Sequence, residues 1–370
     1  MRKILLLCLC CLLSSCMLNK QDEYDRQIEK MNLREKIGQL FIVHPDSLNF
    51  ELQNSEVSNP FIDGITALNE TFLNNYQEYP VGGFIMFAKN IENPAQITSF
   101  NRSLKDNSKI APLIAVDEEG GAIARLANNE NFNLTKFPNV GLLEEKGINP
   151  HFMGNVIGQY LYDYGFNIDF APVADVNTNP DNPVIGERAF GSDPLIVKES
   201  TMAFATGLQE NHIIPVYKHF PGHGDTGEDS HYGLAFTNKT AEEMADCEWI
   251  PFSNAEDAIM VGHISAPNIT DSKMPSTFSS IMLQDILRDQ LGFKGVIITD
   301  SLDMGAVANF YTPEKAVIKA IEAGCDILLM PRDLRRAFDG LVDAVQNNVI
   351  SEARIDESVK RVLILKDKIK

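Results

Sequence analysis

Short apolar runs recur along the chain at 40–43, 83–87, 113–116, 166–170, 213–217, 258–261, 296–299 and 327–330. Within each run the residues are apolar almost without alternation, as expected of parallel strands covered on both faces. Between the runs lie segments of helical periodicity at 94–104, 154–164, 194–211, 280–290 and 313–323. The first of these opens on Asn93, suited to an N-cap, followed by Pro94 at the first helical position. Eight strand–helix units predict an α/β fold, a single-domain (β/α)8 TIM barrel over residues 29–370. An open, doubly wound sheet is the alternative, and the count of eight favours the barrel. Residues 44–80 are polar and rich in turn residues, so they predict an insertion after the first strand, at the end of the barrel where sites form.

The residues just beyond each run sharpen this picture. Asp117-Glu118-Glu119-Gly120-Gly121 and then Arg125 come after the third run, and Asp175 and Gly186-Glu187-Arg188 after the fourth. The fifth leads into the stretch from Lys218 to His231, which holds three of the chain's seven histidines together with Asp225, Glu228 and Asp229. Glycines and a proline interrupt that stretch, so it reads as a loop loaded with titratable groups. Gly262-His263 comes after the sixth run, and Asp300-Ser301-Leu302-Asp303 after the seventh. A barrel converges strand C-termini on one pocket, so these groups are expected to meet.

Composition narrows the function classes. With 51 acidic and 32 basic residues the net charge is -19, and no Lys/Arg cluster stands out, which argues against a nucleic-acid partner. Residues 1–15 look like a bacterial lipoprotein signal: Arg2 and Lys3, an apolar stretch too short to span a bilayer, then Leu13-Ser14-Ser15 before Cys16. The expectation is export, with Cys16 lipidated as the membrane anchor in the bacterial cell envelope and 16–28 as a tether. An ordinary secretory peptide is the alternative. Cys247 and Cys325 then remain in the mature chain, too few for a disulfide framework.

The run Lys218-His219-Phe220-Pro221-Gly222-His223-Gly224-Asp225-Thr226, with Asp229-Ser230-His231 behind it, resembles the signature of glycoside hydrolase family 3, in its β-N-acetylglucosaminidase (β-N-acetylhexosaminidase) branch. Asp117-Glu118-Glu119-Gly120-Gly121, Glu187-Arg188-Ala189-Phe190-Gly191 and Thr299-Asp300-Ser301-Leu302 resemble further motifs of that family, in its order. The resemblance covers roughly residues 30–368. It implies a retaining glycosidase with a covalent glycosyl-enzyme intermediate. Asp300 matches the nucleophile, and His231 with Asp229 matches an acid/base dyad. Asp117, Arg125, Arg188, Lys218 and His219 match residues that bind the sugar. An imidazole both gives and takes a proton near neutrality, and a neighbouring carboxylate orients it and favours its charged form. The family often has an arginine after the paired glycines, where this chain has Ala122.

The expected activity is release of terminal β-linked N-acetylhexosamine from peptidoglycan fragments or chito-oligosaccharides, by a monomer needing no cofactor or metal. The partners implied are an oligosaccharide or glycopeptide substrate and the membrane. Phosphorolysis and β-glucosidase activity are alternatives on the same site, and a non-catalytic sugar-binding lipoprotein is the non-enzyme alternative. Each residue also has a plainer reading. Asp300 alone could cap a helix, His263 could be a satisfied core histidine, and Asp175 could brace the barrel mouth. His219 and His223, with Asp225 or His231, could ligate a metal. Lys218 opposes that, since its ammonium repels a cation. His223 to Thr226 are read as setting the loop's shape.

Overall fold

The computed structural model describes residues 22–227 and 233–369. Its main sheet has eight strands: β1 Phe41–Val43, β2 Gly83–Ile85, β3 Leu113–Val116, β4 Ile168–Asp169, β5 Ile214–Phe220, β6 Ala258–Val261, β7 Val296–Thr299 and β8 Leu328–Leu329. Every pairing between neighbours is parallel, from β7 through β1 to β8. A parallel bridge from Ile298 to Ile327 joins the two ends, with Thr299 N–H donating to the Ile327 carbonyl at 2.9 Å. The sheet therefore closes, and the fold is the (β/α)8 barrel expected from the spacing of apolar runs.

The absence of alternation in those runs has a direct physical source. Successive strand residues point to opposite faces. Ile42, Ile85, Leu113, Ala115, Ile168, Ile214, Val216, Met260 and Ile298 pack with one another inside the barrel. Their neighbours Phe41, Val43, Phe84, Ile114, Val116, Tyr217, Ile259 and Ile297 pack outward against the helices. Both faces are dry, so both must be apolar.

Four helices begin with one device, a side-chain cap followed by proline: Asn93-Pro94, Asn149-Pro150, Asp193-Pro194 and Thr312-Pro313. The cap oxygen accepts from a free N–H of the first turn, while proline occupies a position that needs no donor. The 280–290 segment forms a helix over Ile281–Gln290, wound more widely than an α-helix, with i→i+5 bonds. The stretch 44–80 is only partly an insertion. Its end, Glu70–Glu78, is a helix that buries Phe72 and Tyr76 against the core and serves as the first unit's barrel helix. The polar sequence hid this because only one narrow face is apolar.

The closing helix Glu352–Asp367 lies across the N-terminal pole of the barrel. Its Val362 and Leu365 enter the interior cluster, and Lys366 Nζ donates to Gln39 Oε1 and the Gly82 carbonyl at 2.7 and 2.8 Å, just ahead of β1 and β2. Residues 22–29, at the end of the stretch read as a tether, form a helix that buries Tyr24 and Ile28. Tyr24 Oη donates to Asp367 at 2.9 Å and Lys360 pairs with Asp25 at 2.6 Å, so this helix sits at the same pole.

Candidate active site

The opposite pole holds a cavity of about 560 Å³. Its apolar lining includes Ile85, Phe170, Met260 and Leu329, all from the barrel's interior cluster. Asp117, Arg125, Arg188, Lys218, His219 and Asp300, which sequence places on four different loops, all line it. Asp117 and Asp300 directly follow β3 and β7, Lys218 and His219 lie among the last residues of β5, which runs on into the stretch read as a loop, and Arg125 and Arg188 come from the longer loops after β3 and β4.

The centre of the charged wall is Lys218. Its Nζ lies 2.8 Å from Asp117 Oδ1 and 2.6 Å from Glu119 Oε1, and it is almost fully buried. Arg188 forks onto the same glutamate, Nε to Oε2 at 2.9 Å and Nη2 to Oε1 at 2.7 Å. Burial alone would raise the Glu119 pKa, but Lys218 and Arg188 outweigh it and hold the carboxyl far below its ordinary range. Burial likewise opposes the Lys218 charge, and Asp117 and Glu119 reverse that, keeping the ammonium charged. Arg125 is held more loosely, 3.7 Å from Asp117 and 5.3 Å above the Phe87 ring.

Sequence reasoning quoted Glu119 within a motif but gave it no role. Its signal was the period of two: Asp117 and Glu119 face the cavity together, whereas Glu118 points the other way. Glu118 accepts from the Leu126 and Ala127 N–H groups and from Tyr160 Oη, and is wholly buried.

Asp175 does not reach the cavity. One oxygen lies 2.7 Å from His219 Nδ1, and the other accepts from the His219 and His223 main-chain N–H groups at 3.2 and 2.7 Å. Burial would raise its pKa; His219 and His223 more than offset that and lower it. It is a brace, as its plainer reading had it. His223 Nδ1 lies 2.7 Å from Thr226 Oγ1, and Asn182 Nδ2 donates to the carbonyls of both residues, so this segment is a pinned turn. Asp225 accepts from Thr237 Oγ1 at 2.9 Å. No cluster of three or more metal-ligating side chains occurs among the described residues. Asp229 and His231, proposed from sequence as the proton-transfer pair, lie outside the described residues, as does Cys16. Cys325 is buried and Cys247 partly so, and both are free thiols.

Asp300 ends β7. Its main-chain N–H donates to the Val261 carbonyl at 2.9 Å, and Oδ1 accepts from the Ser301 N–H at 2.7 Å. The next helix, Gly305–Ala308, starts too far along for Asp300 to cap it, which removes the plainer reading of this residue. His263 is the core histidine expected, wholly buried between Thr277 and Ser301. Asp303, quoted in a motif without a role, and Ser58, Asn309 and Arg332, which sequence reasoning did not single out, also line the cavity.

This chain matches the Glycosyl hydrolase family 3 N terminal domain over residues 32–365. It is 32% identical over 356 residues to Beta-hexosaminidase A of Pseudoalteromonas piscicida, an alignment covering 87% of this chain and 60% of that one. It is 34% identical over 293 residues to Beta-hexosaminidase of Nitrosomonas eutropha, covering 76% of this chain and 82% of the relative. Its fold superposes with a TM-score of 0.82 on a glycoside hydrolase family 3 beta-N-acetylglucosaminidase from Paenibacillus sp., 33% identical, covering 92% of this chain and 63% of that one. The chain thus spans under two thirds of the Pseudoalteromonas and Paenibacillus proteins, and most of the Nitrosomonas one. By motif order, barrel fold and overall similarity, the chain belongs to glycoside hydrolase family 3.

Proposed function

We propose that this protein is a retaining exo-β-N-acetylglucosaminidase that hydrolyses terminal β-linked N-acetylhexosamine from peptidoglycan fragments or chito-oligosaccharides. The observation that carries this reading is that Asp300 shares one cavity with the Lys218, Asp117, Glu119 and Arg188 network. The beta-hexosaminidase and beta-N-acetylglucosaminidase names of its relatives support the same substrate class.

In this mechanism Asp300 attacks the anomeric carbon and forms a glycosyl ester as the bond to the leaving oxygen breaks. His231, oriented by Asp229, gives its proton to that oxygen. It then takes one from the water that attacks the ester, releasing the sugar and regenerating Asp300. Sequence motif alone supports these last two roles. Asp117 accepts from sugar hydroxyls while Lys218, Arg188, Arg125 and His219 donate to them, charged contacts that give strong directional recognition. Because Lys218 and Arg188 are already held by Glu119, they need no rearrangement when a sugar enters.

The reading includes export and anchoring through a lipid on Cys16, supported by the signal-like residues 1–15.

The test is an assay of the lipid-free protein with 4-nitrophenyl N-acetyl-β-glucosaminide. Turnover by the wild type and its loss in Asp300→Ala are expected. An inactive wild type, or a fully active Asp300→Ala, would overturn the proposal. Sugar 1-phosphate appearing on addition of phosphate would instead make the protein a phosphorylase.

A further inference from the structure

We propose that Glu118, buried behind the charged wall, is a positioning residue that aims the Arg125 guanidinium at the bound sugar. This rests on the glycosidase reading above, in which Arg125 donates to sugar hydroxyls. Arg125 lines the cavity, yet no short contact fixes its side chain among the described residues. It stands 3.7 Å from Asp117 and 5.3 Å above the Phe87 ring, and its Nε is buried with no hydrogen-bond partner among the described residues. Lys218 and Arg188 differ, each being locked by short ion pairs to carboxylates. Without a lock of that kind, the direction of the Arg125 side chain depends on where its main chain is held.

That main chain is tied on both sides, and Glu118 takes part in both ties. Ahead of Arg125, Glu118–Gly120 pairs antiparallel with Ile123–Ala124, with Glu118 opposite Ala124. Behind it, the Glu118 carboxylate accepts from the Leu126 N–H at 2.9 Å on one oxygen and from the Ala127 N–H at 2.8 Å on the other. Arg125 is the residue left between ladder and clamp. Tyr160 Oη, from the helix Pro150–Asp163, donates to the second oxygen at 2.9 Å and steadies the carboxylate from outside. Asp169, at the end of β4, accepts from the Glu118 main-chain N–H at 3.0 Å and so anchors the clamp to the barrel.

Glu118 is wholly buried, so burial pushes its carboxyl pKa up, and the Leu126, Ala127 and Tyr160 donors offset part of that rise. Removing the carboxyl leaves two buried N–H groups without acceptors, and the turn relieves this by moving. The turn that moves carries Arg125. A misplacement of about 1 Å is enough to weaken its grip on a sugar hydroxyl. Glu118 and Tyr160 do not line the cavity, so they act on a bound sugar only through other residues. The chain neighbours Asp117 and Glu119 offer a second route to the sugar, and the experiment separates the two.

The experiment is a double-mutant cycle on kcat/KM for 4-nitrophenyl N-acetyl-β-glucosaminide. Glu118→Met and Arg125→Ala are each expected to lower it about tenfold, through KM more than kcat. In Arg125→Ala, adding Glu118→Met is expected to cost less than about twofold more, because a residue acting through Arg125 has nothing left to aim. Glu118→Gln, which keeps one acceptor oxygen, is expected to recover most of the loss. If Glu118→Met fails to fold, Tyr160→Phe carries the cycle, with a loss of about threefold that disappears in Arg125→Ala. Equal losses with and without the Arg125 side chain, or Glu118→Met as active as the wild type, overturn the positioning role. A wild type without turnover overturns the glycosidase reading instead, and the same cycle in Kd for N-acetylglucosamine, read by calorimetry, then decides the role of Glu118.

Discussion

His263 Nε2 lies 2.9 Å from the main-chain oxygen of Ser301, the residue after Asp300. A carbonyl only accepts, so Nε2 carries the proton, and Nδ1 is hydrogen-bonded to the Thr277 hydroxyl 2.8 Å away. The imidazole thereby ties the loop bearing Asp300 to the end of β6. Removing it lets that loop shift without touching the substrate. His263→Ala is expected to lower kcat by about 10- to 100-fold with KM nearly unchanged, since small misplacements of a reacting group cost that much. Steady-state kinetics on folded protein check this; an unchanged kcat with only a lower unfolding midpoint would reduce His263 to a packing role.

Glu119 is the sole carboxylate shared by Lys218 and Arg188 among the described residues. Glu119→Gln leaves the buried Lys218 ammonium with one of its two carboxylates and takes away the ion-pair partner of the partly buried Arg188. Breaking a buried pair of this kind costs roughly 3 kcal/mol of stability, readable as a lower urea midpoint. The control is Glu314→Gln, which breaks the solvent-exposed Arg336–Glu314 pair and is expected to leave that midpoint unmoved. Equal effects of the two substitutions would refute the argument from burial.

Lys366 is buried at the plugged pole with hydrogen bonds to two neutral acceptors, and burial lowers its pKa from 10.5 to about 7. Between those two values the unfolded chain holds a proton that the folded chain does not. Stability attributable to this residue therefore rises with pH across that window, by up to about 1.4 kcal/mol per pH unit. Below the folded pKa both states are charged and the slope vanishes. Urea unfolding of wild type and Lys366→Met at several values from neutral to mildly alkaline pH should show their difference changing in this direction. A constant difference would mean the lysine stays charged in the fold.

Among the described residues no group of three or more His, Cys, Asp or Glu side chains is placed to hold a metal ion. Lys218 adds a positive charge to the cavity. Prolonged treatment with a chelator such as EDTA is expected to leave activity on the aryl glycoside unchanged. Inactivation that added zinc reverses would contradict this.

Much of the architecture was legible because it follows from local rules. A strand dry on both faces must be apolar throughout, so all eight strands could be read from short runs, and the Asn93-Pro94 start of its helix was equally plain. The helix Glu70–Glu78 was not, because its polar side dominates and only packing against β2 distinguishes it from a loop. Likewise residues 22–28 read as tether, since just Tyr24 and Ile28 betray a buried face.

The site divides in the same way. Sequence alone determined which residue types end each strand, and hence that Asp117, Arg188, Lys218, His219 and Asp300 would meet at one pole. Only the tertiary structure decided how they pair. Lys218 reaches Asp117 and Glu119 across about a hundred residues of chain, and Asp303 joins Ser58 to Arg332 from loops far apart in sequence. Strand order follows from periodicity along the chain, whereas such pairings depend on the closure of the barrel, which brings β1 beside β8 and sets loops from distant strands against one another.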